Sequence, residues 1–288
     1  MLTGYSQTPH TASNLAPVAR QLTHNWSKKP SQRAQTSTPQ QRTPECLPRG
    51  DSLQVLKQVS MRNRVLGALP EEEFAHIAPH LESVTLKKDQ MIYLTGDDIE
   101  YVYLPEAGLL SLLSITETGS TIEVAMVGNE GVVGLPVILN NHVIPYEVGV
   151  RFPTEAYKIK AEIFKAEFDR GKSLHEFVLR YLNFLITQIS QSSICNRFHS
   201  LEETLSRWLL TVHDHVNTDT LHLTQQIISD ALGVPRTGVT VAAGSLQKGG
   251  AIRYSRGKIV ILDRSQLESN SCECYRIIRE ELRHFLNE

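Results

Sequence analysis

The stretch LTQQIISDALGVPRTGVTVAAGSLQKGGAIRYSRGKIVILD, residues 223–263, decides how this sequence folds. Thr224 can cap a helix with apolar residues at helical spacing, and Gly233 ends that helix because glycine readily takes a left-handed conformation. Pro235 is typical of the start of a second helix. Two short helices joined by a tight turn with glycine predict a helix-turn-helix. The apolar positions of the two helices are Ile227, Ile228, Ala231 and Leu232, then Val239, Ala242, Ala243 and Leu246.

A basic β-hairpin is predicted to follow. Gly249 and Gly250 stop the second helix, and residues 251–254 and 258–261 have β character on either side of a Ser-Arg-Gly turn. A short helix fits the DNA major groove with its N-terminal residues at the base edges. We therefore predict a winged helix-turn-helix that binds double-stranded DNA. The candidate DNA-binding residues are Thr224, Gln226, Arg236, Thr237, Thr240, Lys248, Arg253, Arg256 and Lys258.

These candidates divide into two roles. Arg236, Thr237 and Thr240 are expected to face outward from the second helix, where an arginine can donate two hydrogen bonds to guanine. The cations of the helix end and the hairpin are placed to meet phosphates. A helical hairpin with a β-ribbon that only packs against it is the alternative.

The same stretch resembles the helix-turn-helix of the Crp/Fnr family of regulators, and the resemblance extends over roughly residues 53–280. It implies a cyclic-nucleotide-binding-like sensor, a dimerisation helix, a homodimer that binds DNA as two half-sites, and RNA polymerase as a further candidate partner. The family pattern of the second helix is Arg-Glu with another Arg four places after the Glu. Arg236 is kept, but Thr237 and Val241 replace the other two, which predicts a different base preference.

Ahead of this module, residues 1–50 are rich in Ser, Thr, Gln and Pro and are predicted to form a disordered tail. Residues 51–79 have helical spacing, with Pro70 and three acids opening a helix. Short β segments separated by turn residues then predict an antiparallel β-roll or barrel over residues 51–171, and so an α+β fold. These segments are residues 83–86, 91–94, 101–104, 108–115, 121–127 and 147–152.

A long helix is predicted over residues 172–199, with its apolar pattern clearest over residues 172–195. Apolar residues cover nearly its whole circumference, so two surfaces are needed to bury it. One is the β-domain and the other is a second copy, although burial within a single chain remains open. Ser200 and the acids after it predict the cap of a further helix, which opens the DNA-binding domain of residues 200–288.

Charge is distributed unevenly although the formal net charge is only −2. Residues 1–50 hold six Lys or Arg against one acid, and residues 51–170 hold eighteen acids against ten bases. An acidic middle ahead of a basic module suits a regulatory domain joined to a DNA-binding domain, although chance variation gives similar patterns. The sequence has neither an apolar signal core nor a stretch long enough to span a membrane. We expect a cytoplasmic protein.

The sensor segment departs from the family's cyclic-nucleotide binders. The resemblance implies a Gly-Glu pair for the ribose and an Arg-Ser or Arg-Thr pair for the phosphate. Gly134 is kept, but Leu135 stands at the Glu position, Pro145 and Tyr146 fall where the Arg pair belongs, and residues 129–149 contain no Arg. We expect no cyclic AMP, and an unknown effector remains open. Glycines 128, 131 and 134 are interpreted as turning the chain between strands.

No cofactor or metal is assigned. Four cysteines are too few for a disulfide scaffold, and a pair near the C-terminus does not supply the four ligands of an iron–sulfur cluster. Cys272 and Cys274 are interpreted as small buried residues of a late helix, with metal binding or redox chemistry as alternatives. His213 and His215 point apart on a helix and are interpreted as a solvated helix end.

Three functional classes therefore stand side by side. The first is a dimeric DNA-binding regulator, and the second is a ligand- or partner-binding module whose helix-turn-helix no longer binds DNA. The third is an enzyme, for which the sequence offers no nucleophile–base pair, metal motif or phosphate loop. We predict the first and expect no catalytic activity.

Overall fold

The computed structural model describes residues 61–287. The predicted tail of residues 1–50, including Cys46, and the first ten residues of the predicted helical segment lie outside the described residues. Within the described part, no helix combines the length and the apolar character that crossing a membrane requires.

The first half of the described chain is an antiparallel sheet. Its central strand β5 pairs with β1, β2 and β3, and β3 also pairs with β4. This confirms the predicted antiparallel sensor domain. The strands are β1 (Glu82–Leu86), β2 (Met91–Tyr93), β3 (Tyr101–Ile115), β4 (Thr121–Val127) and β5 (Glu147–Lys160).

Two strands are longer than the sequence pattern predicted. The expected break at residues 105–108 is wrong: β3 runs through it, with shifts of register against β5. Gly108 allows this, since it has φ +87° and a Cβ there would overlap the backbone at Pro153 and Thr154. β5 continues eight residues beyond its predicted end, because its second half pairs with β1 and the first half of β3.

Helices cover the sheet. Glu71–Ile77 begins after Pro70 as predicted, whereas Ala161–Asp169 was not predicted. The long helix Ser173–Phe198 buries one stripe against the sheet. The helices of this half are α1 (Arg64–Gly67), α2 (Glu71–Ile77), α3 (Ala161–Asp169) and α4 (Ser173–Phe198), with 3₁₀ turns at Ala78–His80 and Leu135–Leu139.

The second half consists of short helices and a three-stranded sheet around a second apolar core, to which Leu109 and Met126 of the sensor sheet also contribute. Helix α5 opens with a capping box, in which Ser200 and Glu203 each bond the other's backbone N–H. Buried residues from all of these elements share one apolar cluster. The elements are α5 (Leu201–Val216), β6 (Thr220–Leu221), α6 (Gln225–Leu232), α7 (Arg236–Gly249), β7 (Ile252–Ser255), β8 (Lys258–Ile261), α8 (Arg264–Ser269) and α9 (Glu273–Leu286).

Helix α9 runs back along the long helix α4. Its residues Ile278 and Phe285 belong to the sensor core rather than to the core of the second half. Arg180 donates to the backbone oxygens of His284 and Phe285, and Asn183 donates to Glu281 at 2.7 Å. The chain therefore joins its two halves both at the α4–α5 connection and through α9.

Candidate nucleic-acid interface

The two helices of the predicted motif form as expected. The Thr224 hydroxyl accepts a hydrogen bond from the Ile227 N–H at 3.2 Å and caps α6. Gly233 ends α6 in the left-handed region with φ +64°, and Pro235 is the N-cap of α7. These local choices place α7 across α6 with its N-terminus at the surface.

One face of α7 is open to solvent. The predicted buried positions Val239, Ala242, Ala243 and Leu246 are all buried. Arg236, Thr237 and Thr240 are exposed, and so is Val241, whose side chain is 74% exposed. An apolar residue this open at the middle of a helix has no packing role among the residues that the structure describes.

The wing is a tight β-hairpin. Strands β7 and β8 pair antiparallel, and Arg256 and Gly257 connect them with φ of +47° and +77°. Two positive φ values in a two-residue turn are the signature of a type I′ hairpin, which suits the twist of the strands. The cations at the end of α7 and in the wing are all exposed: Lys248, Arg253, Arg256 and Lys258.

Besides Thr224, two of the predicted DNA-binding side chains have partners inside the motif. Gln226 donates to the Asp230 carboxylate and is half-buried. The Thr240 hydroxyl donates to the Arg236 carbonyl at 2.9 Å and accepts from Gln225 Nε2 at 3.0 Å. Gln225 was missed in the sequence, since no local signal shows that it reaches a residue fifteen positions later. It fixes the N-terminal part of α7 on α6.

The glycines of α7 differ in what surrounds them. A Cβ on Gly238 would lie 2.9 Å from Leu201 Cδ2, so this glycine allows α7 to approach the start of α5. A Cβ on Gly244 would meet nothing within 4 Å. Gly244 therefore weakens the helix without a packing reason within the described residues.

A buried polar network joins the sensor sheet to the domain that contains the helix-turn-helix. Trp208 on α5 donates through Nε1 to Glu123 on β4 at 2.6 Å. The same carboxylate accepts from Ser111 and pairs with Arg151 at 3.4 Å. The side chains of Arg151 and Glu123 are 1% and 2% exposed, so water does not reach them and each charge is compensated by the other. A cavity of ≈ 10 Å³ next to this network has room for about one water molecule.

A second buried contact joins the two halves near the end of α5. His215 Nε2 lies 3.3 Å from Glu130 Oε1, and His215 Nδ1 lies 2.7 Å from the Thr211 carbonyl. Both ring nitrogens face acceptors, so both carry protons and the ring is an imidazolium. Burial alone lowers the pKa of His215, but the charge of Glu130 and the hydrogen bonds raise it to about 9. The interpretation of His213 and His215 as a solvated helix end is wrong, since both side chains are largely buried and hydrogen-bonded.

The spaced glycines have two roles rather than one. Gly134 takes φ +102° and turns the chain as predicted. Gly128 and Gly131 have no positive φ, and a Cβ on either would overlap His215 or Tyr181. These two glycines allow the sensor to pack closely on α4 and α5.

A buried leucine, Leu135, stands at the position of the family's ribose-binding glutamate. Leu135 is 3% exposed and belongs to the sensor core. Tyr146, at the expected position of the phosphate-binding pair, is half-buried, and burial raises its pKa to about 12. The nearest following arginine, Arg151, is held by Glu123 in the network described above.

Two family models match this chain. Residues 83–170 match the cyclic nucleotide-binding domain, and residues 203–269 match the Crp-like helix-turn-helix domain. Together the matches cover more than half of the chain.

Curated relatives and similar solved structures support the same family. The global nitrogen regulator of Nostoc sp. is 26% identical over 187 residues, which are 62% of this chain and 83% of that protein. A Crp/Fnr-family transcriptional regulator from Eubacterium rectale superposes with a TM-score of 0.59 at 22% identity, covering 72% of this chain and 95% of that one. FixK2 from Bradyrhizobium japonicum superposes with a TM-score of 0.58 at 16% identity, covering 67% and 98%.

The fold and the exposed basic motif define a DNA-binding transcriptional regulator with a cyclic-nucleotide-binding-like sensor domain, and not an enzyme. The chain belongs to the Crp/Fnr family.

Proposed function

We propose that this regulator acts as a homodimer, reads DNA with the exposed face of α7, and has a sensor that does not bind cyclic AMP. The observation that carries the proposal is a stripe of apolar side chains on α4 that residues 61–287 leave uncovered. Leu179, Ile186 and Ile189 are 43%, 55% and 37% exposed, and Leu182 between them is half-buried.

The stripe has the spacing of a helix–helix seam. Positions 179, 182, 186 and 189 alternate steps of three and four, which keeps them on one side of a helix. The other side of α4 is already buried against the sheet and α9. A second copy of α4, related by a two-fold axis, covers the stripe and places two copies of α7 side by side.

DNA recognition is assigned to named side chains of α7 and the wing. Arg236 at the exposed N-terminus of α7 suits a guanine, since its guanidinium can donate to O6 and N7 together. The exposed cations of the wing are placed to contact phosphates, as is Lys248. Thr224 and Thr240 position the motif through the hydrogen bonds described above, and Thr237 lies beside Arg236 at the base edges.

Val241 gives the site its own base preference. Its side chain is open to solvent on the same face of α7 as Thr237. Apolar side chains in the major groove contact the thymine methyl group. Val241→Arg, which restores the family's residue, is expected to replace a preference for thymine by one for guanine at a single position of each half-site.

The sensor's ligand is proposed to be something other than a cyclic nucleotide. A cyclic phosphate needs a cation and a hydroxyl in its pocket. Leu135 and Tyr146 supply neither a cation nor a carboxylate, and Arg151 is already paired with Glu123. Titration calorimetry with cyclic AMP is expected to show no heat of binding. A heat with a fitted stoichiometry near one per chain would contradict this.

RNA polymerase is a proposed partner, because a regulator bound near a promoter acts on the enzyme that transcribes from it. The cytoplasm is the proposed compartment, because the protein must reach the DNA and the RNA polymerase there. A pull-down with purified RNA polymerase on DNA that carries the selected site tests the contact.

Light scattering coupled to size exclusion tests the dimer. Wild type is expected to give twice the chain mass and Ile186→Glu the mass of one chain, because a carboxylate cannot be buried in an apolar seam. Ile194→Glu is the matched control, since Ile194 is 37% exposed on the same helix but lies about 100° around the helix axis from the middle of the stripe. Dimers from Ile186→Glu would contradict the proposal.

A regulator whose motif has lost DNA binding is the second candidate, favoured by Val241 and the two glycines of α7. Selection of bound fragments from genomic DNA at about 0.15 M salt separates the two, since affinity falls steeply with salt. Enrichment of a defined motif supports the first, and enrichment of none by a folded dimer supports the second.

A further inference from the structure

Three cysteines and a histidine that are far apart in the sequence meet at the junction of the two halves. Cys195 and His199 come from the end of α4, and Cys272 and Cys274 from the start of α9. One ligand atom from each of the four residues lies within 4.8 Å of every other. The three cysteines are buried and free.

The backbone explains why these four side chains converge. Cys195 and His199 are four residues apart at the helix end and share one face of it. Cys272 and Cys274 are only two apart, which on a helix would point them in different directions. Cys272 is instead the N-cap of α9 and has an extended backbone, with φ −74° and ψ 164°, so both thiols face inward.

The separations fit a tetrahedral ion. Cys195 Sγ lies 3.4 Å from Cys272 Sγ, and Cys274 Sγ lies 3.7 Å from His199 Nδ1. Zinc–sulfur bonds of about 2.3 Å in a tetrahedron require ligand atoms about 3.8 Å apart. These two separations are within a few tenths of an ångström of that value, and every other pair of ligand atoms is within 4.8 Å.

The surroundings also fit a metal site. His199 presents Nδ1 to the cluster while its Nε2 lies 3.3 Å from the Glu273 carboxylate. Histidine ligands of metals commonly donate their other N–H to a carboxylate in this way. The buried Arg207 lies near the three thiols, and its positive charge offsets the net charge of −1 that three thiolates and one Zn²⁺ carry together.

We propose that Cys195, His199, Cys272 and Cys274 bind one Zn²⁺ per chain. Three thiolates and one imidazole with no open position form a structural zinc site. The ion joins the end of the long helix to the start of α9 directly beside the α4–α5 connection. It thereby fixes the direction in which the DNA-binding domain leaves the dimerisation helix.

Metal analysis of the purified full-length protein tests the site. Protein prepared under reducing conditions and dialysed against metal-free buffer is expected to hold one zinc per chain. Cys274→Ser is expected to lose it, whereas Cys46→Ser, which removes the fourth cysteine of the sequence, is expected to keep it. Absence of zinc from wild type, with no uptake of added Zn²⁺ or Co²⁺, would overturn the proposal.

Two further variants keep the test valid if Cys274→Ser fails to fold. His199→Cys preserves a four-ligand set and is expected to retain the ion. Its Co²⁺ form is expected to show stronger sulfur-to-cobalt charge-transfer absorption than wild type, because a fourth thiolate is added. An unchanged Co²⁺ spectrum would exclude His199 as a ligand and overturn the assigned site.

Glu273 offers a test specific to the hydrogen bond behind His199. Glu273→Gln is expected to weaken zinc binding by about 10–100-fold in competition with a chelator, as removal of such partners does elsewhere. Glu280→Gln, further along the same helix, is expected to leave it unchanged. A Cys195–Cys272 disulfide in mass spectra of the alkylated, metal-free protein from cells would identify a redox pair instead and contradict the zinc site.

Discussion

The stability of the junction between the two halves is expected to fall as pH rises from 6.5 to 9. The perturbation is the loss of one proton from His215, whose imidazolium pairs with the buried Glu130. The pKa of His215 is raised from 6.5 to about 9. A group with a raised pKa in the folded state contributes fully below its unfolded pKa and loses that contribution as pH passes the folded value.

The magnitude follows from the shift. At 1.36 kcal/mol per pKa unit, a change from 6.5 to about 9 corresponds to about 3 kcal/mol in the free energy of unfolding. The pKa of Glu130 is lowered, so the contribution of Glu130 to the free energy of unfolding is lost as the pH falls rather than as it rises. The pair is therefore expected to stabilise the protein most between about pH 4.5 and 6.5, which are the ordinary pKa values of a glutamate and a histidine.

Urea unfolding followed by tryptophan fluorescence measures this. Trp26 and Trp208 are the two tryptophans of the sequence, so a Trp26→Phe background makes Trp208, which bonds Glu123 at the junction, the reporter. The free energy of unfolding is compared at pH 6.5 and 9 with that of His215→Gln, in which the pH-dependent difference is expected to vanish.

Exposed His222→Gln is the control and is expected to keep the full pH dependence. His215→Gln is also expected to be less stable at pH 6.5 by about 3–5 kcal/mol, since Glu130 is left buried without its partner. Equal pH slopes in wild type and His215→Gln would refute the reasoning.

Three further outcomes are expected. Ile186→Glu is expected to separate the dimer and to reduce affinity for a two-half-site operator by at least tenfold in gel-shift titrations. Arg236→Ala is expected to cost about 1–3 kcal/mol against the preferred base at one position, and Lys258→Ala to weaken all sequences similarly; uniform losses for both would contradict these roles. Gly244→Ala is expected to raise the free energy of unfolding by up to about 1 kcal/mol, and Gly238→Ala to give no such gain because its Cβ is crowded; urea denaturation compares the two.

The DNA-binding motif was predictable because its signals are local. Thr224, Gly233 and Pro235 define helix ends through their own backbone preferences, and the buried positions of α6 and α7 follow helical spacing. The family comparison agrees over the same residues. The long helix was predictable in the same way. The structure was needed to show which of its two apolar sides is exposed.

The sheet was harder to predict because pairing overrides local turn signals. Pro105 and Gly108 look like a break, yet β3 continues through them because β5 pairs with it on either side. Helix α3 was missed for a different reason, since it follows directly from β5 and has no capping side chain at its start.

The junction between the two halves could not be read from the sequence at all. Glu130 and His215 are 85 positions apart, and Cys195 and Cys272 are 77 apart. No spacing rule connects residues at such distances. The sequence shows Cys272 and Cys274 as a Cys-x-Cys pair, which is half of the cluster. Cys195 and His199 lie beside this pair only because α9 returns to the end of α4, and that return is visible only in the structure.

Sequencing of DNA fragments selected by the purified wild-type protein at about 0.15 M salt tests the central claim most directly, namely that a dimer reads DNA through α7. The account predicts a two-fold symmetric motif whose half-sites lie about one helical turn apart, with one conserved position lost in fragments selected by Arg236→Ala. A single asymmetric half-site, or a motif that Arg236→Ala leaves unchanged, would contradict it.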